Sequence, residues 1–237
     1  MKFTYANVIQ QKFPPESFLG RINRGSWQEL SDAWMVSEFS AGAEILGVEE
    51  TSSDVRFILV GHARASQYSD SGREVSLIDL QKGDLFGEFA AIDNAPRSAT
   101  VVAMADSIIA TLPARRFRDL LQGNTDLSFA LTGILVTKLR SLTERIADFN
   151  ALNADQRVRR EILRRAEPFA RNGSASIPDF PTQANLATFV FTNRETVSRE
   201  MGRMKKRGLC SRVSGNLVIP DLAALEDYIA EQDDLRT

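Results

Sequence analysis

The stretch FGEFAAIDNAPRSAT, Phe86 to Thr100, holds the Glu88 carboxylate and the Arg97 guanidinium at a fixed separation, with several small residues between them. A helical turn that begins after Gly87 would leave backbone N–H groups unpaired, and such groups attract an anion. Arg97, beside the Ser98 hydroxyl, is a planar and permanently charged donor that suits a phosphate. The Glu88 carboxylate would repel a phosphate but can accept a hydrogen bond from a sugar hydroxyl. The stretch therefore indicates a binding site for a small nucleotide.

The residues around this stretch alternate short β-type runs with turn residues. Between residues 37 and 112, runs such as VRFILVG and ATVVAMA are separated by Gly, Ser and Asp clusters, one of them SDSG at 69–72. Many short strands at such spacing predict a small antiparallel barrel or sandwich.

A long helix is predicted from about Asp126 to Leu152, with Asn124 and Thr125 in its cap. Apolar residues recur along it at spacings of four, three, four and three. These residues are Leu135, Leu139, Leu142, Ile146 and Phe149. The stripe is heptad-like, and it could pack against the barrel of its own chain or against a second copy. A small barrel has no obvious place for so long a stripe, so the pattern favours a homodimer paired through these residues.

A pair of short helices is predicted in PTQANLATFVFTNRETVSREMGRMKKRGLC, residues 181–210. Thr182 and Asn193 are suitable N-caps for the two helices, and Gly208 suits the position after the second helix. At about 100° per residue, the second helix has an apolar arc that predicts a core face. An adjoining polar arc could enter a DNA major groove. It contains Arg194, Glu195, Ser198 and Arg199. The preceding RNGSASIPDFP, residues 171–181, is predicted to be a loop.

Charge is distributed unevenly along a chain whose net charge is −2. Residues 153–219 contain 13 Lys and Arg against 6 Asp and Glu, which gives +7. The tail, residues 220–237, contains 1 basic and 6 acidic residues, which gives −5. A basic block in a near-neutral chain suggests a polyanion partner, although an ordinary solvated surface is the alternative on charge alone.

Composition argues against several classes of protein. One cysteine and one histidine, Cys210 and His62, cannot form a disulfide framework, a zinc site or an iron–sulfur site within one chain. Neither a membrane-spanning apolar run nor a signal peptide is apparent, so a cytoplasmic protein is expected. An enzyme is disfavoured, because Glu88 and Asp93 lack a second catalytic constellation.

The stretch 86–100 resembles the phosphate-binding cassette of cyclic-nucleotide-binding domains. Residues 181–210, with the following RVSGNLVIP, resemble the helix-turn-helix and wing of the CRP/FNR transcription regulators. The resemblance covers nearly the whole chain. It implies an α+β protein with an N-terminal antiparallel jelly-roll barrel, a long dimerisation helix and a C-terminal winged helix-turn-helix. The expected boundaries are 1–123, 124–152 and 153–237, with the acidic tail in the last part.

The resemblance implies an allosteric ligand, cAMP or cGMP, with cAMP favoured and no metal. Glu88 should take the ribose 2′-hydroxyl, and Arg97 and Ser98 should take the cyclic phosphate. Leu142 and Thr143 stand at the positions that meet the base, and only Thr143 could hydrogen-bond it. The implied ligand-binding residues are Phe86, Gly87, Glu88, Phe89, Arg97, Ser98, Lys138, Leu142 and Thr143.

The resemblance also implies palindromic DNA with TGTGA-like half-sites, and RNA polymerase as a further partner. Arg194 and Arg199 should read guanines and Glu195 a cytosine amine, while Thr182 is better placed for a phosphate. Phe191 stands where the family often has glycine, and a bulky residue at positive φ is strained. The alternative is a regulator of this type whose sensor domain binds another ligand or none.

Overall fold

The computed structural model describes residues 12–68 and 74–234, so the predicted turn at 69–72 lies outside the described residues. The chain divides into two compact units, Met1–Ser141 and Leu142–Thr237. Within the described ranges, no helix is both long and apolar enough to cross a membrane.

Two four-stranded antiparallel sheets form the centre of the first unit. The strands are β1 (Met35–Phe39), β2 (Glu44–Leu46), β3 (Val55–Val60), β4 (Ala63–Tyr68), β5 (Glu74–Leu80), β6 (Leu85–Phe86), β7 (Thr100–Ala103) and β8 (Ser107–Leu112). One sheet has the order β1-β8-β3-β6 and the other the order β2-β7-β4-β5. The predicted antiparallel β domain is confirmed.

The alternation of side chains along β3 explains how its sheet is covered on both faces. Val55, Phe57 and Leu59 are buried in a cluster with the helices of this unit. Ile58 points the other way and packs in a second cluster with residues of the facing sheet, among them Val101. A strand buried on both faces reads as a mostly apolar run, as VRFILV does apart from Arg56.

Five helices are described wholly or partly in this unit. They are α1 (Phe18–Arg21), α2 (Arg24–Ser31), α3 (Glu88–Asp93), α4 (Ala114–Gly123) and α5 (Thr125–Ala151). Helix α5 is the predicted long helix, and the Asn124 side chain accepts hydrogen bonds from the backbone N–H groups of Asp126 and Leu127 at 3.1 and 3.3 Å. Its first turns bury Leu127, Ala130, Leu131 and Ile134 against the sheet.

The second unit packs helices on a small sheet of order β11-β12-β10-β9. Its helices are α6 (Ala154–Ala166), α7 (Gln183–Phe189), α8 (Arg194–Lys206) and α9 (Leu222–Asp234), and a 3-10 turn covers Glu167–Phe169. Its strands are β9 (Ala170–Arg171), β10 (Ser174–Ile177), β11 (Ser211–Val213) and β12 (Asn216–Ile219). The predicted core face of α8 is confirmed, because Val197, Met201 and Met204 are buried.

The predicted loop at 171–181 is wrong in its first half, where β9 and β10 form a hairpin. The two residues of its turn, Asn172 and Gly173, have φ values of 49° and 79°. An Asn-Gly pair with both residues at positive φ is the preferred two-residue hairpin connection. The strands are too short for alternation of apolar and polar residues to predict them. The Asn-Gly pair alone indicated a hairpin turn at this position.

Candidate functional site

Gly87 and Arg97 meet at the start of α3. The Arg97 guanidinium donates from Nη1 to the Gly87 carbonyl and from Nη2 to the Asp54 carbonyl, both at 2.9 Å. Gly87 has a φ of 80°, and a Cβ there would lie 2.7 Å from Arg97 Nη1, so only glycine fits without displacement. Burial lowers the pKa of Arg97 from its ordinary value, and the charge of Glu50 opposes that shift.

Glu88, the first residue of α3, is 4% exposed. It receives a hydrogen bond of 2.9 Å on Oε1 from Lys138 Nζ, which comes from α5. A buried carboxylate needs such a partner, and a carboxylate keeps acceptor capacity for a further donor. Glu88, Arg97 and Lys138 are therefore three predicted site residues that hold charge around one short helix of the sheet domain.

The remaining predicted ligand-binding residues differ in exposure. Phe86 is 4% exposed and packs in the core between the sheets, whereas Phe89 is 47% exposed. Ser98 is exposed, and its carbonyl accepts a hydrogen bond of 2.7 Å from Gln67 Nε2. Leu142 and Thr143 are exposed positions of α5 that belong to the second unit.

Two charged residues beside Arg97 were not predicted from sequence. Glu50 Oε1 lies 2.7 Å from Arg56 Nη2 and 3.9 Å from Arg97 Nη2. Arg56 is opposite Phe86 in the pairing of β3 with β6, so it lies next to the Gly87 turn. No sequence motif connects these residues, because their proximity depends on strand register.

The predicted DNA-reading residues lie on the exposed side of α8. All four, Arg194, Glu195, Ser198 and Arg199, are exposed. The predicted caps are confirmed: the Thr182 hydroxyl accepts from the Asn185 N–H at 3.2 Å, and the Asn193 side chain accepts from the Thr196 N–H at 2.8 Å. These caps define where α7 and α8 begin, and so which residues of α8 form its first exposed turn.

Asp155, near the start of α6, holds two arginines of α8. Its Oδ1 accepts from Arg199 Nη2 and its Oδ2 from Arg203 Nη1, each at 3.1 Å. Burial works to raise the pKa of Asp155, but the hydrogen bonds from the two arginines outweigh it and lower the pKa below its ordinary value. The Arg199 side chain is still 52% exposed, so it is anchored at one nitrogen and open to a partner.

Glu200 fixes the opposite side of α8 within the unit. It is fully buried, and its Oε1 accepts from Arg159 Nη1 of α6 and from the Tyr228 hydroxyl of α9, each at 3.0 Å. Burial raises the pKa of Tyr228, so its hydroxyl stays protonated as a donor. The bonds tie α8 to both neighbouring helices and limit its movement.

The turn between α7 and α8 has Phe191 at a φ of 52°. The predicted strain is therefore present in the backbone, but the side chain has partners. Its ring lies 5.4 Å from the Phe149 ring at the end of α5, and its carbonyl accepts from Arg157 Nη2 at 3.2 Å. These contacts offset part of the cost of the unfavourable φ.

An apolar stripe runs along the exposed side of α5. Leu139 is 65% exposed, Ile146 64%, Phe149 53% and Leu142 46%, whereas Leu135 is partly buried against the core. Sequence reasoning missed Phe129 and Val136, which are 80% and 45% exposed. They stand seven residues apart, but each follows a position of the stripe's heptad register by one residue, so that register does not predict them.

Within residues 12–68 and 74–234, no group of three or more His, Cys, Asp or Glu side chains could hold a metal ion. Cys210 is buried, and burial raises the pKa of its thiol, which suits a structural role.

Two family profiles match the chain. The cyclic nucleotide-binding domain matches residues 36–124, and the Crp-like helix-turn-helix domain matches residues 156–228. The first match covers both sheets, apart from Met35 of β1, and the Glu88–Arg97 site. The second runs from Gln156 in α6 through α7, α8 and the β11–β12 hairpin into α9.

Relatives align over most of the chain. The CRP-like cAMP-activated global transcriptional regulator of Mycobacterium tuberculosis is 23% identical over 186 residues, covering 78% of this chain and 83% of that protein. The cAMP-activated global transcriptional regulator Vfr of Pseudomonas aeruginosa is 26% identical over 176 residues, covering 72% and 82%.

Solved structures share the fold. A CooA mutant from Carboxydothermus hydrogenoformans has a TM-score of 0.72 at 20% identity, covering 86% of this chain and 90% of that one. FixK2 from Bradyrhizobium japonicum has a TM-score of 0.70 at 17% identity, covering 82% and 96%. A cyclic nucleotide-binding domain is therefore followed in this chain by a Crp-like helix-turn-helix domain, which is the domain organisation of a CRP-like transcription regulator.

Proposed function

We propose that the protein is a homodimeric transcription regulator that binds palindromic DNA when a cyclic nucleotide, cAMP in the first place, occupies its sensor domain. The observation that carries the proposal is that Glu88 and Arg97 are both buried, at 4% and 7% exposure, beside Gly87 at the start of α3. Buried charged groups cluster at binding sites, because burying them costs free energy that a ligand can offset.

The chemistry of the pair suits a cyclic mononucleotide. Arg97 provides fixed N–H donors for the cyclic phosphate. Glu88, paired with Lys138 at 2.9 Å, provides an acceptor for the ribose 2′-hydroxyl. Lys138 balances the charge of the Glu88 carboxylate through this contact. The names of the Mycobacterium and Pseudomonas relatives, both cAMP-activated, favour cAMP over cGMP.

The exposed stripe of α5 supports a dimer. Four large apolar side chains that are 46–65% exposed on one helix stripe would cost free energy in water, and pairing with a second copy would bury them. The predicted interface consists of Leu135, Leu139, Leu142, Ile146 and Phe149. The exposed Phe129 and Val136 broaden the apolar surface of the helix beside it.

The exposed turn of α8 supports sequence-specific DNA binding. Arg194 and Arg199 can donate to guanine O6 and N7, and Glu195 can accept from a cytosine amine, which corresponds to TGTGA-like half-sites. Ser198 and Thr182 would contact the backbone or neighbouring bases. In a dimer, two such helices about 34 Å apart would enter successive major grooves.

Nucleotide control follows if the ligand binds one arrangement of the paired helices more tightly than the other. The population then shifts towards that arrangement by the difference in binding free energy. RNA polymerase, recruited at the operator, is the proposed downstream partner.

Fluorescence anisotropy with a labelled palindrome of two TGTGA half-sites tests the proposal. The protein should bind this DNA at least about tenfold more tightly with cAMP than without it, because coupling energies of 1–3 kcal/mol are typical. A scrambled DNA of equal length is the control for sequence. Tight, sequence-specific binding that neither cAMP nor cGMP changes would contradict nucleotide control and favour the alternative of a sensor with another ligand or none.

A further inference from the structure

Arg56 is a largely buried arginine that the proposed site does not yet use. It lies in β3 between Val55 and Phe57, which face the helices, so it points with Ile58 towards the space between the sheets. Its side chain is 12% exposed. In the described part of the chain, its Nη1 atom is buried without a hydrogen-bond acceptor.

Glu50 connects Arg56 to Arg97. One oxygen, Oε1, is 2.7 Å from Arg56 Nη2 and 3.9 Å from Arg97 Nη2. The Arg97 side chain is 2% exposed, and its Nε atom also lacks an acceptor among the described residues. The nearby Asp54 carboxylate is engaged elsewhere, since it accepts a hydrogen bond of 3.3 Å from the Ala114 N–H.

Glu50 is within 4 Å of both guanidinium groups, whereas Asp54 and Glu88 act on Arg97 through their charge at longer range. Among the described residues, Arg56 Nη1 and Arg97 Nε are buried without an acceptor. Buried cations are costly unless anions pair with them, so the cluster favours binding of an anion with several acceptor oxygens. A phosphate diester has that geometry, and a single carboxylate 3.9 Å from Arg97 does not fully provide it.

We propose that Glu50 is an internal anion that occupies the Arg56–Arg97 site when no ligand is bound, and that the cyclic phosphate replaces it. Arg56 is then a second phosphate-binding arginine of the sensor. The inference rests on the proposed cyclic-nucleotide function. It adds that Glu50 competes with the cyclic phosphate and so lowers the affinity of the sensor for the nucleotide.

Glu50→Gln separates the two roles of this residue. Without ligand, the variant leaves two buried arginines with less compensation, so its melting temperature should fall. When ligand binds to Glu50→Gln, the phosphate supplies the missing negative charge. It no longer has to displace the Glu50 carboxylate, and no carboxylate repels it. The variant should therefore bind cAMP about tenfold more tightly than the wild type, the size expected for a hydrogen bond to a charged group.

The matched control is Asp79→Asn. Asp79 accepts from Arg64 Nε at 2.8 Å in the same domain, a similar acid–arginine pair away from Gly87. Its removal should lower the melting temperature equally with and without cAMP, and leave the affinity unchanged. Arg56→Gln should weaken cAMP binding by about tenfold.

Isothermal titration calorimetry and melting curves, with and without cAMP or cGMP, decide between the outcomes. Tighter binding by Glu50→Gln, together with weaker binding by Arg56→Gln, supports the inference. Equal or weaker binding by Glu50→Gln, while the wild type binds and Arg97→Ala does not, overturns the inference and leaves the proposed function standing. If neither wild type nor Glu50→Gln binds either nucleotide, both are overturned.

Discussion

Asp84 lies in the turn that leads into β6, and burial raises the pKa of its carboxyl to about 6 from 3.8. The hydrogen bond from the Gln81 N–H, 2.8 Å long, and the charge of Lys138 work in the opposite direction, whereas Glu16 and Glu88 add smaller repulsions. The folded protein thus holds this proton more tightly than the unfolded chain does. The free energy of unfolding should therefore fall as pH rises from about 4 to about 6, and stay lowered above that.

Asp84→Asn should remove this penalty, because the amide keeps an acceptor for the Gln81 N–H but carries no charge. We expect the free energy of unfolding at pH 7.5 to rise by about 1–3 kcal/mol, with little change near pH 4. Urea denaturation at several pH values measures the difference. A stability difference that stays constant from pH 4 to pH 7.5 would show that titration of Asp84 is not its cause.

Sequence could predict Glu88 and Arg97, because both lie in one short stretch whose residue types already match a sugar and a phosphate. It could not predict Glu50 and Arg56. Their meeting depends on the pairing of β3 with β6 and on the path of the preceding loop, which no spacing rule specifies. Lys138 was predicted by resemblance, but its bond to Glu88 needed the packing of α5.

Helix α8 is positioned by side chains of its neighbours, and one of these, Asp155 of α6, contacts the predicted base reader Arg199. Asp155→Asn should let the Arg199 side chain move, since a charge-assisted hydrogen bond of 3.1 Å is lost. Discrimination at the base pair read by Arg199 should fall by about 1 kcal/mol, within the range for one good arginine–guanine contact.

A double-mutant cycle with Arg199→Ala tests this, with anisotropy on DNA that carries the preferred or a substituted base pair. Asp155→Asn should change discrimination in the wild type and add nothing in the Arg199→Ala background. Glu167→Gln, which removes the same charge from an exposed position, is the control. Equal weakening on both DNAs would assign Asp155 a structural role only.

The hairpin at Asn172 and Gly173 and the turn at Phe191 show where prediction of elements succeeded and failed. Caps and apolar periodicity located α5, α7 and α8, because both signals are local. The β9–β10 pair is too short for a period to appear, and only its turn residues indicated it. The positive φ of Phe191 was expected from the sequence. Its ring contact with Phe149 was not expected, because the two residues are far apart in sequence.

At the scale of the whole chain, α5 spans Thr125–Ala151, and the division between the two units falls within it, after Ser141. The expected boundaries at 123 and 152 remain a prediction. The dimer also remains a prediction, because the heptad stripe indicates a partner and the structure contains a single chain.

Leu139→Glu should abolish the dimer. Leu139 is 65% exposed in the middle of the stripe, and pairing would bury the new charge without a partner. Analytical ultracentrifugation should give a dimer for the wild type and a monomer for the variant. Thr137→Glu, on the same helix outside the stripe, should remain a dimer. A dimeric Leu139→Glu would move the interface away from α5.

The central claim is that the Glu88–Arg97 pair binds a cyclic nucleotide. Calorimetric titration of the wild type and of Arg97→Ala with cAMP tests it, with Arg116→Ala, an exposed arginine of α4, as the control. We predict saturable binding by the wild type and the control, and a loss of about 100-fold or more in Arg97→Ala, the upper range for a bond to a charged group. Equal cAMP affinity in the wild type and Arg97→Ala would contradict the account.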